Sequence, residues 1–274
     1  MKRMTCLAVV ILTMGSVVFA SPSDGLVAYY PFNGNTNDAT GNYPPLTVYG
    51  AIPTSDRFGN ANRAYVLDGV DDQLYGLSYD PMTLDPSAQG SFAVAFWFKP
   101  TTTWSPSDNP NANVVGNFYG WGGWGIILMA PGHPYQPGAL GFGWCGAETL
   151  PPGKGWTDLC TTTTDTWSAG TWYHVVADYS APTKNLSMWI NGVCENAVTV
   201  NVFAAEDLSG SPLTIGRYGY TQYADMAVDE LRLYNRSLSA DEIRGLATIP
   251  APGAVVLAGL GVSVVGWLRR RRMV

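Results

Sequence analysis

From residue 25 to residue 237 the chain is a succession of short apolar runs that alternate with polar positions. Clusters of Gly, Pro, Asn and Asp break them, and no long stretch keeps a 3.6-residue period. That pattern predicts an all-β fold of the sandwich type. The clearest run is Ser91 to Lys99, where Phe92, Val94, Phe96 and Phe98 share one face and Ala93, Ala95 and Trp97 the other. Both faces are apolar, so this strand is expected at the centre of a sheet. Trp172 to Tyr179 and Leu186 to Ile190 are the next strands, and Asn191-Gly192 ahead of Val193 is a two-residue turn suited to positive φ, which predicts a hairpin. Leu213 to Arg217 and Met226 to Tyr234 complete the strands. Ser239 with Glu242 three residues on forms a capping box for one short helix, Ala240 to Leu246.

The ends follow other rules. Lys2 and Arg3 precede an apolar run from Leu7 to Phe19, and small residues lead to Ala20, the order of a signal peptide over residues 1–20 cut after Ala20. At the other end a proline-glycine break, Pro250-Ala251-Pro252-Gly253, leads into an apolar span over residues 254–268. Four arginines, Arg269, Arg270, Arg271 and Arg272, follow it. A hydrophobic span with a basic end predicts a transmembrane helix whose arginines stay in the cytoplasm. This arrangement resembles the PEP-CTERM sorting signal of Gram-negative bacteria, with Ala251 where that family carries glutamate. The resemblance implies an exosortase-type enzyme as partner for residues 249–274, transient or lasting attachment to the membrane, and delivery of the mature domain outside the cytoplasm.

Charge narrows the partners. Without Lys2, Arg3 and the four terminal arginines, nine of the 15 basic residues remain against 21 acids, a formal charge of −12 for the exported part. Such a surface repels phosphate backbones, so nucleic acid is not expected, whereas neutral polymers and cations are. Three cysteines, Cys145, Cys160 and Cys194, remain after signal removal, in a compartment that favours disulfides. Cys145 and Cys160 flank a Pro/Gly/Thr-rich loop that a bridge would stabilise by about 3 kcal/mol. That pairing is expected, with Cys194 either a thiol in a strand or the alternative partner of Cys160.

Several stretches occur in a consistent order: Gly25 to Asn35 (GLVAYYPFNGN), Asp56 to Ala61 (DRFGNA), Leu67 to Asp72 (LDGVDD), Trp172 to Val175 (WYHV), Ile190 to Val193 (INGV) and Val228 to Arg236 (VDELRLYNR). Together they resemble the laminin-G-like (concanavalin A-like) jelly-roll domains of secreted bacterial proteins over nearly all of residues 25–245. The resemblance implies an antiparallel jelly-roll β-sandwich over residues 21–248, its first and last strands side by side, with residues 101–170 as a loop-rich insertion. Its functions are diverse, so function must be argued from sites.

Asp229 alternates in phase with Leu231 and Leu233 and would point inward, where a carboxylate needs a partner. With Asp38, in an oxygen-rich loop over residues 33–42, it forms an expected structural calcium site; pairing with Arg57 or Arg63 is the competing expectation. Asp68, Asp71 and Asp72 read first as a tight turn around Gly69, and second as metal ligands. The insertion carries Trp104, Tyr119, Trp121, Trp144 and Trp156, rings suited to stacking on sugars, while Trp124 beside Ile126 and Leu128 reads as core. Catalytic signals are poor. His133 and His174 lack metal-ligand spacing, and adjacent Asp229 and Glu230 point opposite ways rather than forming a glycosidase pair. The expected function is therefore non-catalytic binding of carbohydrate or another envelope polymer at the cell surface or in the matrix. The alternatives are a structural matrix protein without a discrete ligand, and a divergent polysaccharide lyase or glycoside hydrolase.

Overall fold

A computed structural model describes residues 23–76, 90–107, 112–117, 123–130, 136–145, 158–200, 212–218 and 222–248. Residues 1–20 and 249–274, expected to be a signal segment and a sorting tail, lie outside them. Among the described residues no helix is long and apolar enough to cross a membrane.

Two antiparallel sheets face each other. Sheet A has eight strands: β1 (Leu26–Tyr30), β3 (Ile52–Thr54), β4 (Ala64–Asp68), β6 (Phe92–Pro100), β11 (Tyr173–Ser180), β12 (Asn185–Ile190), β13 (Val193–Thr199) and β17 (Asp225–Tyr234). Their order is β13-β12-β11-β6-β17-β4-β3, with β1 also on β17. Sheet B contains β2 (Thr47–Tyr49), β5 (Gln73–Tyr75), β7 (Ala112–Gly116), β8 (Gly123–Leu128), β9 (Leu140–Cys145), β10 (Asp158–Thr161) and β14 (Thr214–Ile215), in the order β10-β9-β8-β7-β14-β5-β2. A small hairpin of β15 (Arg217–Tyr218) and β16 (Gln222–Tyr223) follows β14.

The expected central strand is central, since β6 lies between β11 and β17. The first and last strands pair, and the Asn191-Gly192 turn has φ of 51° and 80°, joining β12 to β13 as a hairpin. Residues 101–170, expected as a loop-rich insertion, also supply β7 to β10, four of the seven strands of sheet B, which the sequence reading did not place. Their glycines, including Gly116, Gly123, Gly125, Gly141 and Gly143, obscure the alternation, because a glycine reads as a breaker where a close-packed strand needs no side chain.

The core between the sheets is aromatic and aliphatic. Phe92 contacts Trp124, Phe142 and Tyr179, and Phe98 contacts Trp104, Trp167 and Tyr173. The outer face of sheet A is covered by helix α1 (Ala240–Thr248), whose Ile243 and Leu246 pack with Leu238 on Ala93, Ala95, Val176 and Tyr234. Alanine at 93 and 95 leaves the room the helix occupies. The capping box forms, with Glu242 accepting from the Ser239 N–H at 2.8 Å and Ser239 Oγ accepting from the Glu242 N–H at 3.3 Å. Asp178 ties the segment leading into the helix to β11 by accepting from Leu238 N and Ser237 Oγ.

The seam where β10 and β13 bring the sheet edges together is polar. Glu195 accepts from the N–H groups of Thr163 and Thr164, at 2.9 and 2.8 Å, and Asn196 Nδ2 donates to Thr161 O.

Candidate functional site

The face of sheet B turned away from the core is built by register. Leu74 and Ile215 are in the core, so their neighbours Gln73, Tyr75 and Thr214 point outward. Tyr75 lies opposite Thr47 and Thr214, and Thr214 lies opposite Gly116, which faces Gly125, which faces Gly143. A row of three glycines across β7, β8 and β9 therefore continues from a hydroxyl-rich wall on β2, β5 and β14. Tyr49 stands opposite Gln73, is 50% exposed, and meets Tyr75 edge-on at 6.3 Å between ring centroids. Arg217 donates to Gln73 Oε1 at 3.4 Å and lies over the Tyr223 ring at 5.9 Å. Asn113 and Thr214 are bonded side chain to side chain at 3.2 Å. Thr47, Tyr49, Tyr75 and Arg217 reach solvent on this face, while Gln73, Thr214, Asn113 and the glycine row are buried, so what it can offer a sugar is the aromatic pair with a hydroxyl and a guanidinium beside it. The sequence reading missed Tyr49 and Tyr75; the available signal was their alternation with Val48 and Leu74 in strands only three residues long.

The tryptophans chosen from the sequence fare differently. Trp104 is a correction: it is 2% exposed, bridges Trp167, and stacks on Phe98 at 5.5 Å, so its ring closes the end of the core instead of facing solvent. Trp124 is core, as expected. Trp144 stands in β9 opposite Trp124 and Asp158. Tyr119, Trp121 and Trp156 lie outside the described residues.

The Asp38 and Asp229 pairing is also corrected. Asp38 accepts from the N–H groups of Tyr29, Thr40, Asn42 and Tyr43 and from the Thr40 hydroxyl, so donors already fill both its oxygens and it pins its own loop. Asp229 does not face the core. A β-bulge between Asp229 and Arg232, with Glu230 at φ 51°, reverses the alternation and leaves Leu231 and Leu233 inward but Asp229 and Arg232 outward. There Asp229 Oδ2 meets the Arg57 guanidinium at 3.5 Å, the competing expectation. Arg57 also approaches Glu230 and stacks over Trp97 and Phe58, while Arg232 pairs with Glu230 at 2.7 Å. Burial pushes the Asp229 carboxyl up to about 8, against the pull of Arg57. His174, beside Trp97 at 5.1 Å, is 1% exposed with neither nitrogen bonded, and burial with the charges of Arg232 and Arg57 holds it down at about 3.

The Cys145–Cys160 bridge is not formed. Cys160 is free and fully buried opposite Phe142, three positions along β9 from Cys145. Three residues of strand span about 10 Å, beyond the roughly 7 Å between Cα atoms that a disulfide tolerates. Cys194 is free and exposed. Asp68, Asp71 and Asp72 do make the tight turn, with Asp68 Oδ1 accepting from the Val70 N–H, and their carboxylate oxygens come within 4.8 Å of one another.

Comparison with known proteins places this architecture. No curated protein matches in sequence. Domain 4 of AbnA, an extracellular GH43 arabinanase from Geobacillus stearothermophilus solved with arabinotriose, is similar at 19% identity and a TM-score of 0.59, covering 81% of this chain and 98% of that one. The binding domain of Paraclostridial mosquitocidal protein 1 is similar at 18% identity and a TM-score of 0.62. The botulinum neurotoxin serotype D binding domain follows at 12% and 0.59. The chain covers only about half of each toxin domain, 52% and 50%. The model of the concanavalin A-like lectin/glucanases superfamily (Laminin_G_3) matches residues 78–244, more than half of the chain. The protein thus belongs to the concanavalin A-like lectin/glucanases superfamily.

Proposed function

We propose that this is an exported surface or matrix protein whose sandwich binds carbohydrate without transforming it, through the outer face of sheet B. The observation that carries the reading is the Tyr49–Tyr75 pair set beside Gln73, Arg217, Thr214 and Asn113. This is a partly exposed aromatic platform with the exposed Thr47 hydroxyl and the half-buried Arg217 guanidinium at its side, held from beneath by the buried Gln73, Thr214 and Asn113. The arabinotriose-bound arabinanase domain supports a sugar as the kind of ligand this fold accommodates. Export rests on the residue pattern of 1–20, and sorting by an exosortase-type enzyme on that of 249–274. Burial of Trp104, Trp124 and Trp167 favours a second reading, a matrix component with no discrete ligand.

A pull-down of the full chain on arabinan, xylan, cellulose and pectin separates the two. It is run with calcium and with chelator, because the Asp68, Asp71 and Asp72 carboxylates are the described group close enough to share an ion. Retention of the wild type on a polymer, lost in Tyr49→Ala, supports the carbohydrate reading. A folded sample that no polymer retains supports the second.

A further inference from the structure

Helix α1 carries the chain along the outer face of sheet A to one end of the sandwich. The segment leading into it is held at Asp178, which accepts from Leu238 N. Towards its other end, Arg244 Cα and Ala247 Cβ lie 3.3 and 3.4 Å from where a Cβ on Gly192 would stand. The helix therefore ends, at Thr248, over the Asn191-Gly192 turn. Five residues, 249–253, separate that point from the apolar stretch 254–268. Five residues reach at most about 18 Å when fully extended. With 254–268 in a bilayer, the turn end of the domain is thus kept beside the lipid headgroups.

The side chains at this end suit that neighbour. Val193, the first residue after the turn, is 65% exposed although apolar. On the other side of the turn, His174 N donates to Asn191 Oδ1 and Asn191 N to His174 O, at 2.9 and 2.8 Å, which brings the start of β11 alongside. Trp172, one position before β11, is half-buried, and the half-buried Lys99 holds its ammonium 5.1 Å from the Trp172 ring centroid. Tryptophan settles at the headgroup level of a membrane, and a lysine beside it extends its ammonium to the phosphates.

The acidic corner and the sugar platform lie elsewhere. Asp225 and Asp68 face each other on β17 and β4, and the order β12-β11-β6-β17-β4 sets them three and four strands from the turn. That separation is about 14 to 19 Å. The Tyr49–Tyr75 pair is on β2 and β5, at the edge of sheet B opposite β10, and β10 is the strand that adjoins β13 at the seam.

We infer that the Asn191-Gly192 end of the sandwich lies on a phospholipid surface, with Val193 and Trp172 among the headgroups, Lys99 at their phosphates and the Tyr49–Tyr75 edge turned away from the bilayer. The inference rests on the reading of residues 249–274 as a membrane segment.

Cys194, exposed beside Val193, is a native attachment point for a probe. The full chain with Cys6→Ser and Cys145→Ser carries a fluorophore on Cys194 and is reconstituted into phosphatidylcholine vesicles whose headgroups bear a short-range nitroxide quencher. A second protein adds Cys194→Ser and Thr183→Cys, which moves the fluorophore to the far end of β12, a strand of six residues and so about 20 Å away. Both proteins are expected to float with the vesicles, with the probe at 194 quenched several-fold more than the probe at 183. The pair Trp172→Ala and Lys99→Gln, checked for an intact fold by its thermal transition, is expected to lower quenching at 194 without changing flotation. Equal quenching at 194 and 183, or quenching at 194 that the pair of substitutions leaves unchanged, overturns the inference while the membrane reading of 249–274 stands. Self-quenching at 194 that grows with the protein-to-lipid ratio puts a second copy at this end instead and also overturns it. A chain that does not float overturns both.

Discussion

Asp229 and His174 flank Trp97 in a single row across β17, β6 and β11, and they link stability to pH in opposite senses. His174 is held near 3 in the fold and titrates near 6.5 when unfolded, so the unfolded chain binds the extra proton and stability falls as pH drops from 6.5 towards 3. Asp229 is raised from 3.8 to about 8, so the folded chain keeps the extra proton and stability falls as pH rises from 3.8 to about 8. Asp229→Asn should therefore gain on the wild type steadily over that range in thermal melts, and a constant offset would contradict it. Trp104 makes a separate prediction. Trp104→Ala should cost about 3–5 kcal/mol, measured by denaturant unfolding, as expected for a large ring removed from a core. Asp229 and Trp104 both show why position in the fold outranks residue type: a bulge turns one side chain outward, and a bridge to Trp167 draws the other inward.

The secondary-structure elements were legible where their signals are local. The Asn191-Gly192 hairpin, β6 and α1 follow from turn chemistry, alternation and a capping box that depend on neighbours a few residues away. Ser239→Ala should lower stability by about 1 kcal/mol, because it removes the side-chain acceptor for the Glu242 N–H. Glu242 is held down at about 2, chiefly by its bonds to Arg236, so its contribution should be present above 4.5 and lost as pH falls towards 2. A melting curve of Glu242→Gln that matches the wild type at neutral pH would refute that link. The strands β7 to β10 were not legible, since Gly116, Gly125 and Gly143 have meaning only beside one another on three adjacent strands.

Across the whole sandwich, the two sheets close on an aromatic core and on a seam between β10 and β13, and the cysteines record that closure. Burial raises the Cys160 thiol to about 12, so it should resist a water-soluble thiol reagent in the native protein and react on unfolding. Cys194 should react at once, whereas a protein in which Cys160 never reacts would indicate a bridge. Alternation, turn residues and the ordered stretches from Gly25 to Arg236 were enough to establish an antiparallel sandwich of this superfamily, because those signals arise within a strand or across one turn. Charge and residue pattern likewise pointed to export and to a neutral or cationic partner. The candidate surface came only from the tertiary structure. Tyr49, Gln73, Tyr75, Asn113, Thr214 and Arg217 are brought together by the pairing of β2, β5, β14 and β7 and by the hairpin that follows β14, and register between strands distant in the chain leaves no periodic trace along it.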